Sequence, residues 1–248
     1  MNIVIFDTET TSLEKPFCYN IGYTIKNIEE RKTLLRREFV VEQVWHNLPL
    51  FESAYYKDKR AIYVSRMKAK AIKLEKYGYI TQQMIRDFKQ FEIEFAYAYN
   101  SGFDDKVFNY NCEWFKVVNP FEQVKILDIR GLVHKFIAFT TEFKEFCEQH
   151  ERFTDSGNYS TTAETLYQFI SGETSFIEEH TALADSEIES EILFECLDRG
   201  GQVGIDYKVY KTIPREITQT LEIIDTDKQV HSFEYTKKTT RGNRIYLK

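Results

Sequence analysis

Apolar residues along this chain alternate between two periods. Residues 3–6 (Ile-Val-Ile-Phe) form an unbroken apolar run, the pattern of a strand buried on both faces. Residues 19–25 and 37–41 read as further strands, so the chain opens on an antiparallel meander of about three. Residues 51–76 turn helical, with Ile62, Met67, Ala71 and Leu74 recurring at near-helical spacing among many lysines and arginines. Gly78 closes that segment, and Thr81 reads as the N-cap of a helix reaching residue 91. A strand at 94–99, a helix at 103–115 and a strand at 124–127 follow. Helical patterns cover 129–139 and 141–150, a polar loop with Gly157 covers 153–160, and Thr162 caps a short helix to 170. A long helical pattern over 178–197 stops at Gly200-Gly201. Beyond it the texture changes: 220–224 and 230–235 read as a hairpin around Asp225-Thr226-Asp227-Lys228. This places a boundary near residue 203, giving a domain over 1–203 and an extension over 204–248.

Composition changes the picture modestly. The 248 residues are 42% hydrophobic and 29% charged, enough for a sizeable core. The 20 Phe and 16 Tyr fit bulky core packing, or in part exposed rings that stack on bases. A net charge of -6 argues against electrostatic wrapping of long duplexes. It does not exclude nucleic acid if metal ions mask local acid charge. The basic run from Lys57 to Lys76 fits a solvated helix face or contact with a phosphate backbone. Cys18, Cys112, Cys147 and Cys196 form no Cys-x-x-Cys pair, and Cys147 with His150 lacks a second ligand pair. A reducing, cytoplasmic setting is expected. No apolar run is long enough for a membrane span, and no leader is expected.

The chemistry starts at Asp7 and Glu9. A strand turns residues i and i+2 to one side, and two adjacent carboxylates are costly without a cation between them. Taken alone, the pair fits loop acids equally well. The segment Asn100-Ser-Gly-Phe103-Asp104 passes from a strand through small residues into a helix, with Asp104 in its first turn. In His180-Thr-Ala-Leu-Ala-Asp185, a regular helix would set the two ends about 140° apart. They converge only if His180 precedes the helix or lies in an irregular first turn. His150-Glu-Arg-Phe-Thr-Asp155 repeats that spacing without the small residues that admit a substrate, and is rejected as a site.

Residues 6–13 (Phe-Asp-Thr-Glu-Thr-Thr-Ser-Leu), with the Asn100–Asp104 and His180–Asp185 segments, resemble the three motifs of the DEDD superfamily of 3′→5′ exonucleases. The subgroup is the one with a catalytic histidine (DEDDh), which includes epsilon-type proofreading subunits, RNase T and oligoribonuclease. The resemblance spans about residues 1–200; Ser12 departs from the Gly of many members. It implies an α/β, ribonuclease H-like mixed sheet flanked by helices, with a small C-terminal β-containing extension. It implies two divalent ions, Mg²⁺ or Mn²⁺, held by Asp7, Glu9, Asp104 and Asp185. Asp7 would bridge both ions, Glu9 and Asp185 would complete the ion that holds the attacking water, and Asp104 would serve the second. His180 would be the general base, because imidazole is mostly neutral at pH 7.

The same resemblance suggests substrate contacts at Thr10 (backbone N–H), Leu13 (a wedge beside the terminal base) and Asn100. Core packing is the other reading of Leu13, and Phe103 is assigned to the core. The expected activity is removal of nucleoside 5′-monophosphates from a nucleic-acid 3′ end, single-stranded DNA preferred, beside a DNA polymerase or replication partner. The rivals are an RNA exonuclease and a catalytically silent module that binds nucleic acid or a polymerase. The extension would dock a partner, clamp the strand or complete the sheet.

Overall fold

In the computed structural model, residues 1–224 and 230–238 are described. The first strand, β1 (Asn2–Thr10), sends Ile3 and Ile5 into one core and Val4 and Phe6 into another. That is why its apolar run does not alternate: both faces are covered. The strands β2 (Cys18–Asn27) and β3 (Lys32–Val41) continue the antiparallel meander, each longer than its apolar stretch suggests.

The basic segment 51–76 is not one helix. It holds the end of α2 (Leu48–Phe51), which follows α1 (Glu42–Trp45), a single 3₁₀ turn at Lys57–Lys59, α3 (Arg60–Lys68) and a short strand, β4 (Lys73–Glu75). β4 pairs in parallel with β3. A three-residue strand carries no periodicity of its own; the unpaired edge of β3 calls it into the sheet. The next helix, α4 (Tyr77–Gln90), begins four residues earlier than Thr81, with Gly78 inside its first turn. Thr81 is buried there and its hydroxyl returns a hydrogen bond to the Gly78 carbonyl, 3.2 Å.

β5 (Phe95–Ala98), α5 (Ser101–Phe115) and β6 (Lys125–Asp128) add two parallel strands beside β1. The six-stranded order is β4-β3-β2-β1-β5-β6. The stretch after β6 divides into α6 (Ile129–Val133) and one π turn, His134–Ala138. α7 (Thr141–Gln149) and α8 (Ala163–Ser171) are capped by the Thr140 and Thr162 hydroxyls. α9 (Ala182–Asp198) starts four residues later than the helical pattern from 178 suggests.

The sheet divides two cores. One holds Phe6, Tyr19, Tyr23, Phe39 and Phe108; the other holds Ile3, Tyr97, Phe143, Ile192 and Leu193. All four cysteines are free and buried. Residues 204–215 run back along the second core: Gly204 N donates to the Tyr97 hydroxyl (2.8 Å), Tyr210 N to His134 Nδ1 (2.9 Å), and Ile213 is buried. The hairpin then forms as expected, β7 (Glu216–Ile224) antiparallel to β8 (Val230–Lys238). The expected turn at Asp225–Lys228 and the basic tail at Arg241, Arg244 and Lys248 lie outside the described residues.

Candidate active site

The register of β1 on β2 builds the site. Asp7 faces Gly22 and Glu9 faces Asn20 across the strand pair. A Cβ at Gly22 would lie 2.1 Å from the Leu183 backbone nitrogen, so only glycine lets the first turn of α9 rest on that rung. Asn20 fixes the same turn. Its Oδ1 accepts from the Ala182 N–H (2.8 Å) and the Tyr63 hydroxyl (3.0 Å), while Nδ2 donates to the Phe39 carbonyl (2.9 Å). Asp185, one turn into α9, is thereby delivered over β1. Asp7, Glu9 and Asp185 each offer a carboxylate oxygen within 4.8 Å of the others.

Asp104 stands beside this group of three rather than in it. It is buried in the first turn of α5, and its Oδ1 accepts from the Thr8 hydroxyl at 2.7 Å. Thr8 shows the opposite face of β1 to Asp7 and Glu9, so the strand serves acids on both its sides. His180 precedes α9 in a left-handed conformation (φ 53°), which lets it escape the angular separation a regular helix would impose. Its ring stacks on Tyr56, with centroids 4.3 Å apart and planes 15° apart. Its Nδ1 lies 3.8 Å from Glu178 Oε2.

Electrostatically the acids are crowded. Burial, then the charges of Asp104 and Glu178, pushes the Asp7 carboxyl well above its ordinary range. Burial and Asp7 do the same to Glu9, against a lowering pull from Lys59. Burial takes Asp104 to about 7, and burial with Asp7 takes Asp185 to about 9. Asp185 Oδ1 is also buried without a hydrogen-bond partner among the described residues. Hard oxygen donors converging with little counter-charge beyond Lys59 suit a divalent cation such as Mg²⁺ or Mn²⁺. His180 shifts the other way: burial and the Lys59 ammonium lower its pKa, leaving the imidazole neutral and able to accept a proton at pH 7.

The sequence-derived residues separate clearly. Asp7, Glu9, Asn100, Asp104, His180 and Asp185 line one cleft; Thr10 and Leu13 are not among its lining residues. Leu13 is 74% exposed, which overturns core packing, and its carbonyl accepts from Lys106 Nζ at 2.7 Å. Asn100 bends the chain between β5 and α5 at φ 65°, and its Oδ1 accepts from Arg130 Nη1 at 2.9 Å. Phe103 lines the cleft while packing on the first core. The decoy pair does not join: His150 packs on Phe146 at the end of α7.

Three residues with no role in the motif reading also face the cleft. Glu189 is buried on α9 with Oε2 unpartnered, and burial with Asp7 and Asp104 raises its pKa strongly. Glu178 is pushed to about 7 by burial and by Glu164. Tyr56 supplies the stack under His180. Glu189 has a sequence signal in hindsight, since it lies one turn after Asp185 on the same helix face.

No protein-family model matches the chain, and no curated protein matches it. Solved structures do. A 3′-exonuclease whose structure is described as 3′-end specific recognition of a histone mRNA stem-loop matches at TM-score 0.53 and 13% identity, over 94% of this chain and 90% of that one. The fold is ribonuclease H-like. E. coli exonuclease I with a dA16 oligonucleotide matches at TM-score 0.48 and 17% identity, over 79% of this chain and 43% of that one. The nuclease domain of 3′hExo, a DEDDh family member bound to rAMP, matches at TM-score 0.47 and 12% identity, over 86% and 97%. At these identities the likeness is one of architecture, and the site of this ribonuclease H-like domain rests on its own residues.

Proposed function

We propose that the chain is a metal-dependent 3′→5′ exonuclease of the DEDDh type. The observation that carries this reading is the meeting of Asp7, Glu9 and Asp185 within 4.8 Å, in a cleft that also holds Asp104 and His180. Asp7, Glu9 and Asp185 would hold one divalent ion, and Asp7 with Asp104 would serve a second. When bound, the ions supply electrostatic stabilisation of charge on the phosphoryl, attacking and leaving oxygens. His180 takes the proton of the attacking water: its imidazole is neutral, and Glu178, 3.8 Å from Nδ1, would in its ionised form steady the imidazolium. Tyr56 holds the ring plane. The products are nucleoside 5′-monophosphates.

DNA, taken as a single-stranded 3′ end, is our preferred substrate, and RNA is the rival. The carboxylates and the imidazole address the phosphodiester, which both strands share. A DNA polymerase or other replication partner would place the activity in proofreading or end-trimming, and the four free thiols fit a reducing, cytoplasmic setting.

The test uses 5′-labelled DNA and RNA oligonucleotides of one sequence, each with Mg²⁺ or Mn²⁺. The expected products are ladders shortened from the 3′ end, with DNA consumed faster. Asp7→Ala should abolish cleavage. His180→Ala should lower kcat about 10²–10⁴-fold while Mn²⁺ binding persists. Cleavage that survives Asp7→Ala would falsify the site, and faster loss of RNA would reverse the choice of strand.

A further inference from the structure

The cleft extends well beyond the acids. Its volume is about 980 Å³, at the upper end of the range for ligand pockets, and far more than one reacting linkage requires. Away from β1 its walls come from the ends of β5 and β6, the polar loop around Asn158 and Ser160, and residues 211–213. Two of these wall residues are basic, Arg130 and Lys211; Lys and Arg do not otherwise line the cleft among the described residues.

We propose that Arg130 and Lys211 form a phosphate subsite that grips the substrate strand upstream of the scissile linkage. The inference rests on the exonuclease reading and adds to it a place for the next phosphodiester. Arg130 is set by two neighbours: its backbone N–H donates to Asp128 Oδ1 (2.8 Å), and its Nη1 donates to Asn100 Oδ1 (2.9 Å). No carboxylate lies within ion-pair distance of it among the described residues, and Asp128 attracts it only at longer range, so the guanidinium is oriented without a contact ion pair. An oriented planar fork of N–H donors matches a phosphate.

Lys211 arrives differently. The chain is pinned on either side of it, by Tyr210 N on His134 Nδ1 (2.9 Å) and by Tyr159 N on the Ile213 carbonyl (3.0 Å). Ile213 is 1% exposed within the second core. Lys211 and Thr212 therefore form a two-residue strap, fixed at both ends and exposed at the cleft mouth. The acids cannot touch a phosphate without cations of their own. A strand whose last linkage reaches them must carry its next negative charge past these two side chains, where Coulomb attraction favours it.

The experiment compares two substrates with Mn²⁺: an oligonucleotide of about ten nucleotides and the p-nitrophenyl ester of thymidine 5′-monophosphate, which has no upstream phosphate. Lys211→Ala and Arg130→Gln should each lower the oligonucleotide-to-ester ratio of kcat/KM about tenfold, through KM on the oligonucleotide. The slope of log KM against log salt should flatten by about 0.7 for each lost phosphate contact. Lys211→Glu should deepen the loss, and Arg130→Lys should restore part of the slope. An unchanged ratio and salt slope in Lys211→Ala and Arg130→Gln, with the oligonucleotide still cleaved, would overturn the subsite alone. A wild-type protein that leaves the oligonucleotide intact would overturn the exonuclease reading, and the subsite with it.

Discussion

Asp185 and Glu189 stand one turn apart on α9, both buried, each with a carboxylate oxygen that has no hydrogen-bond partner among the described residues. Asp185 belongs to the group of three; Glu189 lies behind it, within the field of Asp7 and Asp104. Burial and the charges of Asp7 and Asp104 disfavour its ionised form while the site lacks a cation, so Glu189→Gln should be tolerated in that state. The expected outcome is a Tm in EDTA close to wild type and a smaller Mn²⁺-induced rise. A large loss in EDTA would instead make Glu189 a packing residue. The sequence made Asp7, Glu9, Asp104, His180 and Asp185 legible because their motifs join an acid or histidine to a strand end or a helix start. Glu189 has no such frame. It sits among Glu187, Glu191 and Glu195, and only the packing of α9 separates its buried position from their more open ones.

The element that decides the site is α9, and what decides α9 is its seat on Gly22 and Asn20. Gly22→Ala should force the first turn of the helix off β2. Overpacking of this kind costs about 1–3 kcal/mol, measurable as a shift of the denaturant midpoint. Displacement of Asp185 should weaken Mn²⁺ binding by about tenfold or more, readable by calorimetry. Stability lost with Mn²⁺ affinity intact would show that the seat does not set the site. The meander, the parallel strands and most helices were legible from their periods. What escaped was set by neighbours rather than by local pattern. β4 depends on the edge of β3, α4 absorbs Gly78 instead of starting after it, and α9 waits until His180 has made its left-handed turn.

At the scale of the whole molecule, the crowded acids should make stability depend on pH, and a bound divalent cation should change that dependence. Asp104 near 7 and Asp185 near 9 keep their protons in the folded chain long after an unfolded aspartate, near 3.8, has lost its own. The folded state then binds more protons than the unfolded one, so stability falls as pH rises. The contribution is fully present below about 4 and is lost as pH passes through 7 and 9. In EDTA, Tm should therefore drop by several degrees between pH 5 and pH 8. With Mn²⁺ the ionised carboxylates gain a partner, and the metal-induced rise in Tm should grow over the same interval. A Tm in EDTA that is flat or climbs from pH 5 to 8 would contradict the assigned crowding. The order of the motifs along the chain made the architecture legible at this scale. The path of residues 204–215 did not show in the sequence, because its anchors are backbone groups meeting Tyr97, His134 and Tyr159.

The seating of α9 on β2 also sets a timetable. Asp7 and Glu9 are made long before their partner at residue 185, and the helix that carries it cannot dock until it has emerged. Through that interval the nascent chain has half a site. It cannot gather a cation between three carboxylates. The register of two strands and the missing side chain of Gly22 thus act as an assembly lock, which closes only once α9 has been made.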